Sequence, residues 1–272
     1  DMGGAQAQLL SAAQLSIWSR VRELELAQVE DALKKRKLVK ASCMRQTLFL
    51  VPSKDLAIFE RGPASRAERE IRWMRGQGVP DRVVEAAIDA ALETLDEPHP
   101  RPEIAERVSG MLGVQMQAVT GGGWGNQKKI AAVPVGHLNL PVGYLLHLAR
   151  ARGVLCYGPS RGTEPTFVRA DAWIPKWQDV PQERAEELLL RIYLKAYGPA
   201  TATDFAVWSG ATLKEAREIW ARLQSDIVPV DVNGWKAAAL RKDLDELVQA
   251  EFERPLVCLL PYFDTFLLGH KE

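Results

Sequence analysis

Two glutamines one residue apart, Gln6 and Gln8, stand near the start of the chain in Gly4-Ala5-Gln6-Ala7-Gln8. A glutamine amide offers two donors and one acceptor and has no proton to titrate, so it can hold a water but cannot serve as acid or base. The same spacing recurs at Gln115-Met116-Gln117. Residue type and spacing therefore do not select one pair, and on their own they describe solvated surface groups. Other chemical signals are weak. No carboxylate pair, His/Cys cluster or nucleophile motif stands out. His137 and His147 lie on different elements and do not read as metal ligands, so neither metal nor cofactor is expected. Gly121-Gly122-Gly123 lacks the strand, helix start and Lys-Ser/Thr of a phosphate loop. Asp264, in an apolar Pro-Tyr-Phe-Asp run, reads as a structural cap or buried hydrogen-bond partner. The basic run Lys34-Lys35-Arg36-Lys37 closes a helix, and Arg45-Gln46 opens a β-rich run. Together with Lys128 and Lys129 these are the candidate phosphate contacts.

The elements that must position such groups follow from periodicity and punctuation. Helices are expected over Ser11–Val21 and roughly Leu26–Lys35, then a strand over Arg45–Val51 stopped by Pro52, with Ser53 capping a helix from Lys54. Gly62-Pro63 marks a boundary. Beyond it come helices over Ser65–Arg75, with arginines at 66, 69, 72 and 75, over Asp81–Leu95 behind Pro80, and over Arg101–Leu112. Thr120–Lys129, containing Trp124, reads as flexible. A helix over Leu140–Arg152 and strands at Val154–Tyr157 and Thr166–Arg169 follow.

The last third carries the clearest local signals. Pro181–Tyr197 has an apolar stripe ended by Gly198-Pro199, and Thr201–Ser209 is a short helix closed by Gly210. Thr212-Leu213-Lys214-Glu215 is a capping box, and Asn233-Gly234 joins Ile227–Val232 to Trp235–Ala239 as a hairpin. The fold class expected is mainly α with small β-hairpins, a tandem array of winged-helix (helix-turn-helix) modules. The modules fall at residues 1–62, 63–178 and 179–250, and residues 251–272 begin a β-rich region.

Composition bounds the function. With 272 residues, two or three cores are possible. The 35 basic and 35 acidic side chains cancel, which excludes a purely electrostatic nucleic-acid binder but permits one basic face. Cys43, Cys156 and Cys258 have neither disulfide nor zinc spacing and read as reduced thiols of a cytoplasmic protein. No apolar run is long enough for a membrane span. Both termini read as cut, and the chain as a fragment.

Four stretches then fall in one order: Gly4–Gln8, Met44–Val51, Tyr197–Gly210 and Leu260–Gly269. Together they resemble the bacterial winged-helix DNA glycosylases named after AlkZ and YcaQ, over nearly the whole chain. The resemblance implies tandem winged helices, with the family's C-terminal β-rich domain missing or truncated here. It implies removal of N-alkylated purines and unhooking of interstrand crosslinks by a Gln-aliphatic-Gln motif, which falls on Gln6 and Gln8. The partner it implies is double-stranded DNA bearing alkylated purines or crosslinks, bound by a monomer in the nucleoid. The chain departs from the family where Arg-Gly-Thr-Leu-His-Leu is common, reading Arg45-Gln46-Thr47-Leu48-Phe49-Leu50. Two other readings stay open: a winged-helix transcription regulator with a recognition helix in the major groove, and an inactive relative that only binds DNA.

Overall fold

The chain enters the structure, a computed structural model describing residues 2–62, 65–121, 128–251 and 257–270, through a two-residue strand, β1 (Ala5–Gln6). Helix α1 (Leu10–Trp18) and helix α2 (Leu26–Lys34) follow, then strands β2 (Leu38–Ser42) and β3 (Leu48–Pro52) and helix α3 (Leu56–Arg61). The three strands form an antiparallel sheet in the order β1-β3-β2.

Strand β2 carries no strong signal in sequence, because Leu38-Val39-Lys40-Ala41-Ser42 has only Val39 and Ala41 on its buried face. Its pairing with β3 shortens the strand expected from Arg45. The chain must reverse between Cys43 and Thr47, and it does so through a tight turn at Met44–Gln46. The Cys43 amide donates to the Thr47 carbonyl at 3.0 Å, and the Thr47 amide to the Met44 carbonyl at 3.0 Å. Arg45 (φ 52°) and Gln46 (φ 56°) both take left-handed backbone, a conformation that side-chain-bearing residues rarely adopt. Ser53 starts a short 3₁₀ turn, Ser53–Asp55, and makes no capping bond to α3.

Helices α4 (Ser65–Gly76), α5 (Asp81–Thr94) and α6 (Arg101–Met111) come next, with strand β4 (His99–Pro100) before α6. Strands β5 (Gln117–Gly121), β6 (Lys128–Val135) and β7 (Leu138–Pro141) form a second antiparallel sheet. The stretch expected to be flexible thus begins and ends in paired strand, and residues 122–127 with the Lys128 side chain lie outside the described residues. Because Leu140 belongs to β7, helix α7 (Val142–Ala149) starts two residues later than its apolar pattern suggests. Strand β9 (Thr166–Arg169) pairs with β4 on one side and β8 (Leu155–Tyr157) on the other, and a single turn, α8 (Ala170–Trp173), follows. Ile88, Leu95, Ile104, Leu145 and Leu148 are fully buried at the centre of this region.

The final part holds α9 (Gln182–Tyr197), α10 (Ala202–Ser209), α11 (Leu213–Arg222), the hairpin β10 (Ile227–Val232) and β11 (Trp235–Leu240), and α12 (Leu244–Val248). Its local signals all take physical form. Thr201 and Thr212 each accept a bond from the backbone amide three residues on, at Asp204 and Glu215, and both capping boxes close. Asn233 and Gly234 sit at positive φ in the hairpin turn.

The backbone divides into two compact units, Asp1–Pro63 with Gln178–Glu272, and Ala64–Trp177. The first joins both ends of the sequence. In it α9 packs on α3, Arg61 grips Asp179 through two bonds at 2.7 and 2.5 Å, and Tyr193, Phe205 and Trp208 are fully buried. The architecture is mainly helical with small antiparallel sheets. No helix among the described residues is long and apolar enough to cross a membrane.

Candidate functional site

Gln6 is fixed by backbone. It pairs with Phe49 across β1 and β3, Ala5 pairs with Leu50, and the Ala7 amide continues the ladder to the Leu48 carbonyl at 2.6 Å. Alternation explains why the intervening residues are alanines. Ala5 and Ala7 turn into a small core with Ala13 and Leu50, and residues two apart in an extended segment share a face. Gln6 is 7 % exposed. Gln8 lies at the bend before α1 and is exposed. The pair is therefore asymmetric, one amide built into the sheet and the other open to solvent. The close approach of β1 to β3 needs Gly4, at φ +90°, because a Cβ there would stand 3.0 Å from Val51 Cγ1 and 3.2 Å from the Phe49 ring.

Arg45 reaches Gln6 from the turn. Its Nη2 donates to Gln6 Oε1 at 3.5 Å, and its Nη1 donates to the carbonyl of Trp208 at 2.8 Å. Burial draws the guanidinium below its ordinary value, with the nearby Tyr197 phenol acting in the opposite sense. Trp208 sits near the end of α10, and Gly210 just beyond it takes φ +84°. A Cβ on Gly210 would lie 3.1 Å from the Arg45 backbone nitrogen and Cα, so only glycine lets the end of α10 rest against this turn.

Behind the site is an aromatic cluster. The rings of Tyr193, Tyr197, Phe205 and Trp208 lie with centroids 5.0–6.3 Å apart. Tyr197 donates its hydroxyl to the Met2 carbonyl at 2.7 Å, and Tyr193 donates to the Gly269 carbonyl at 2.7 Å. Burial pushes both phenols above their ordinary range. Asp264 accepts from Ser16 Oγ at 2.6 Å, from Arg20 at 2.9 and 2.5 Å, and from the Phe266 amide at 2.9 Å. Its carboxyl is fully enclosed, as a structural hydrogen-bond partner should be. The four stretches that resembled one family thus meet in one unit.

The other candidates are placed as follows. Lys34, Lys35 and Lys37 are exposed where α2 gives way to β2, Lys35 paired with Asp31 at 2.7 Å, and Arg36 is half-buried at φ 57°. Gln46 is exposed beside Arg45. Lys129 is exposed on β6 in the second unit. Gln117 belongs to β5, its amide donating to the Gln115 carbonyl at 3.2 Å. Sequence reasoning named Arg45 but not its grip on Gln6, nor Trp208 and Gly210 as the surfaces that hold it. The left-handed cap at Ser209-Gly210 was the one local signal available. Among the described residues no group of three or more His, Cys, Asp or Glu side chains is placed to hold a metal ion.

Comparison with known proteins gives a single direction. The family described as "DNA glycosylase AlkZ-like" matches residues 1–272. A "Interstrand DNA cross-link repair glycosylase" of Streptomyces sahachiroi is 29 % identical over 274 residues, covering 98 % of this chain and 69 % of that protein. Among solved structures, the Streptomyces sahachiroi DNA glycosylase AlkZ is similar with a TM-score of 0.72 at 25 % identity, again over 98 % of this chain and 69 % of the other.

Proposed function

The chain belongs to the AlkZ-like DNA glycosylase family, and from that premise we propose that it hydrolyses the N-glycosidic bond of purines alkylated at N7 or N3. The observation that carries this reading is the Gln6–Gln8 pair, one amide anchored on β1 and the other exposed at the bend that follows it.

An N7-alkylpurine already bears positive charge, so it departs without receiving a proton. The C1′–N bond breaks, the base leaves neutral, and the sugar becomes cationic. A water then bonds to C1′ and loses its proton to solvent. Two glutamines suffice for that sequence, because amide groups hold the water and place a favourable dipole near the cation without titrating. No lysine takes part, so the enzyme is monofunctional.

A crosslinked purine is tethered to both strands and cannot be flipped into a closed pocket as an ordinary target base is. A glycosylase with one of its glutamines open to solvent suits such a lesion, and the relative's description as an interstrand crosslink repair glycosylase points the same way. We read the helix–helix–helix–hairpin succession of α9, α10, α11 and β10–β11 as a winged-helix module, with residues 1–62 and 63–178 as two more. Residues 257–270, expected to begin a β-rich region, carry no strand among the described residues and join the first unit through Asp264 and Gly269. Lys34–Lys37, Gln46, Lys128 and Lys129 are read as contacts to the DNA backbone of a monomeric enzyme in the nucleoid.

The inactive-relative reading has one observation in its favour, Phe49 beside Gln6 in place of the family's histidine. A single assay separates the two. Base release is measured from a duplex carrying one N7-methylguanine, and in parallel from an N7-linked crosslink, with wild type beside Gln6→Ala/Gln8→Ala. Release that is lost in the double variant supports the glycosylase. DNA binding without release from either substrate supports the inactive relative.

A further inference from the structure

We propose that Arg45 is a positioning residue for Gln6, fixing which end of its amide faces the reacting water. The inference rests on the glycosylase reading above and goes beyond it by making the two glutamines inequivalent.

The assignment follows from donor and acceptor chemistry. The oxygen and nitrogen of a glutamine amide have nearly the same shape, so their placement is settled by partners. A guanidinium has five donors and no acceptor. Facing Arg45 Nη2, Gln6 must therefore present Oε1. Its Nε2 is then the end turned away from Arg45, and Gln6 acts in the site as a donor. Gln8, exposed and two residues on, supplies the acceptor. A water that accepts from Gln6 Nε2–H and donates to Gln8 Oε1 keeps one lone pair for C1′. Two freely rotating amides could not impose that direction.

The surrounding structure supports a fixed Arg45. Two successive left-handed residues, Arg45 (φ 52°) and Gln46 (φ 56°), make a strained turn. Such backbone persists only where neighbours hold it in place. Here the Nη1 bond to the Trp208 carbonyl and the packing of Gly210 on the Arg45 backbone do so. An arginine meant only to meet a phosphate needs neither a strained turn nor an inward bond.

The test is a double-mutant cycle with Arg45→Met, Gln6→Ala and the combination, read by single-turnover base release from an N7-methylguanine duplex and by DNA affinity across a salt series. Arg45→Met is expected to slow release roughly 10- to 100-fold and to leave affinity and its salt slope unchanged. Combined with Gln6→Ala it should add less than about twofold. An equal loss in both backgrounds, or a salt slope reduced by about one, makes Arg45 a phosphate contact and overturns the proposal. A readout independent of turnover is the side-chain NH₂ resonance pair of Gln6, assigned by its loss in Gln6→Ala. Arg45→Lys, which keeps the charge should Arg45→Met not fold, is expected to move that pair towards the shifts of an unrestrained amide. An unmoved pair overturns the proposal. A wild type that releases no base sinks the catalytic reading, while the amide resonance still decides the contact.

Discussion

Phe49 lies directly across the β1–β3 ladder from Gln6, fully buried, in the place where the family's wording has a histidine. Gln6, Gln8 and Phe49 therefore bring no titrating group to the candidate site, and the Arg45 guanidinium, although lowered by burial, starts from a value far above neutrality.

A flat pH profile follows. Single-turnover base release should vary little between about pH 5.5 and 8.5, the interval in which a histidine would titrate. Phe49→His should introduce an inflection within it. A steep inflection in the wild type would mean that a group outside these residues supplies a proton or a base.

The two glutamines should separate stability from activity. Gln8→Ala alters an exposed side chain and is expected to change unfolding free energy by less than about 0.5 kcal/mol. Gln6→Ala strips a half-buried guanidinium of one acceptor and should cost about 1–3 kcal/mol. Each should slow base release on the order of 100-fold or more. Urea unfolding beside single-turnover kinetics checks both.

Asp264 gives stability a dependence on acid. Burial works to raise its carboxyl, but bonds from Arg20, Ser16 and the Phe266 amide outweigh that and hold it below the usual carboxylate range. A depressed folded value contributes stability that is complete above the unfolded value of about 3.9 and is lost as pH falls through the folded one. Asp264→Asn should cost at pH 7 an amount near the low end of about 3–5 kcal/mol, since Arg20 keeps a quarter of its side chain in solvent. The gap between wild type and variant in urea midpoint should narrow progressively as pH falls below the unfolded value of about 3.9.

Gly210→Ala should destabilise by about 1–2 kcal/mol, because φ +84° suits glycine. It should also slow base release, because the new Cβ presses on the Arg45 backbone. A stability loss with full activity would show that the turn tolerates displacement.

Lys34 and Lys37 should each contribute one backbone phosphate contact. Alanine at either is expected to lower the salt slope of DNA affinity by about one without altering sequence preference. Lys35, already paired with Asp31, should matter less.

What could be read from the sequence was local. Thr212 with Glu215, Asn233-Gly234 and the Gly210 stop each specify their own element, and each was found where expected. Strand β2 is not legible because two small buried residues make too faint an alternation, nor is the Arg45–Gln46 turn, because neither residue favours positive φ. Strands β5 and β6 were obscured by the glycine-rich stretch between them. No periodicity could place Trp208 or Asp264 beside the first 20 residues. Only the shared wording of the four stretches hinted at a common location.

The closure of the first unit also sets an order of events in time. Ser16 and Asp264 are 248 residues apart. At a synthesis rate of 5–20 residues per second, the N-terminal segment bearing Gln6 waits roughly 12–50 s for Asp264 to be made. Until then the strand has β3 beside it, but Ser16 and Arg20 lack their Asp264 partner. The segment that carries Gln6 thus gains its Asp264 anchor only after the intervening residues of both units have been made.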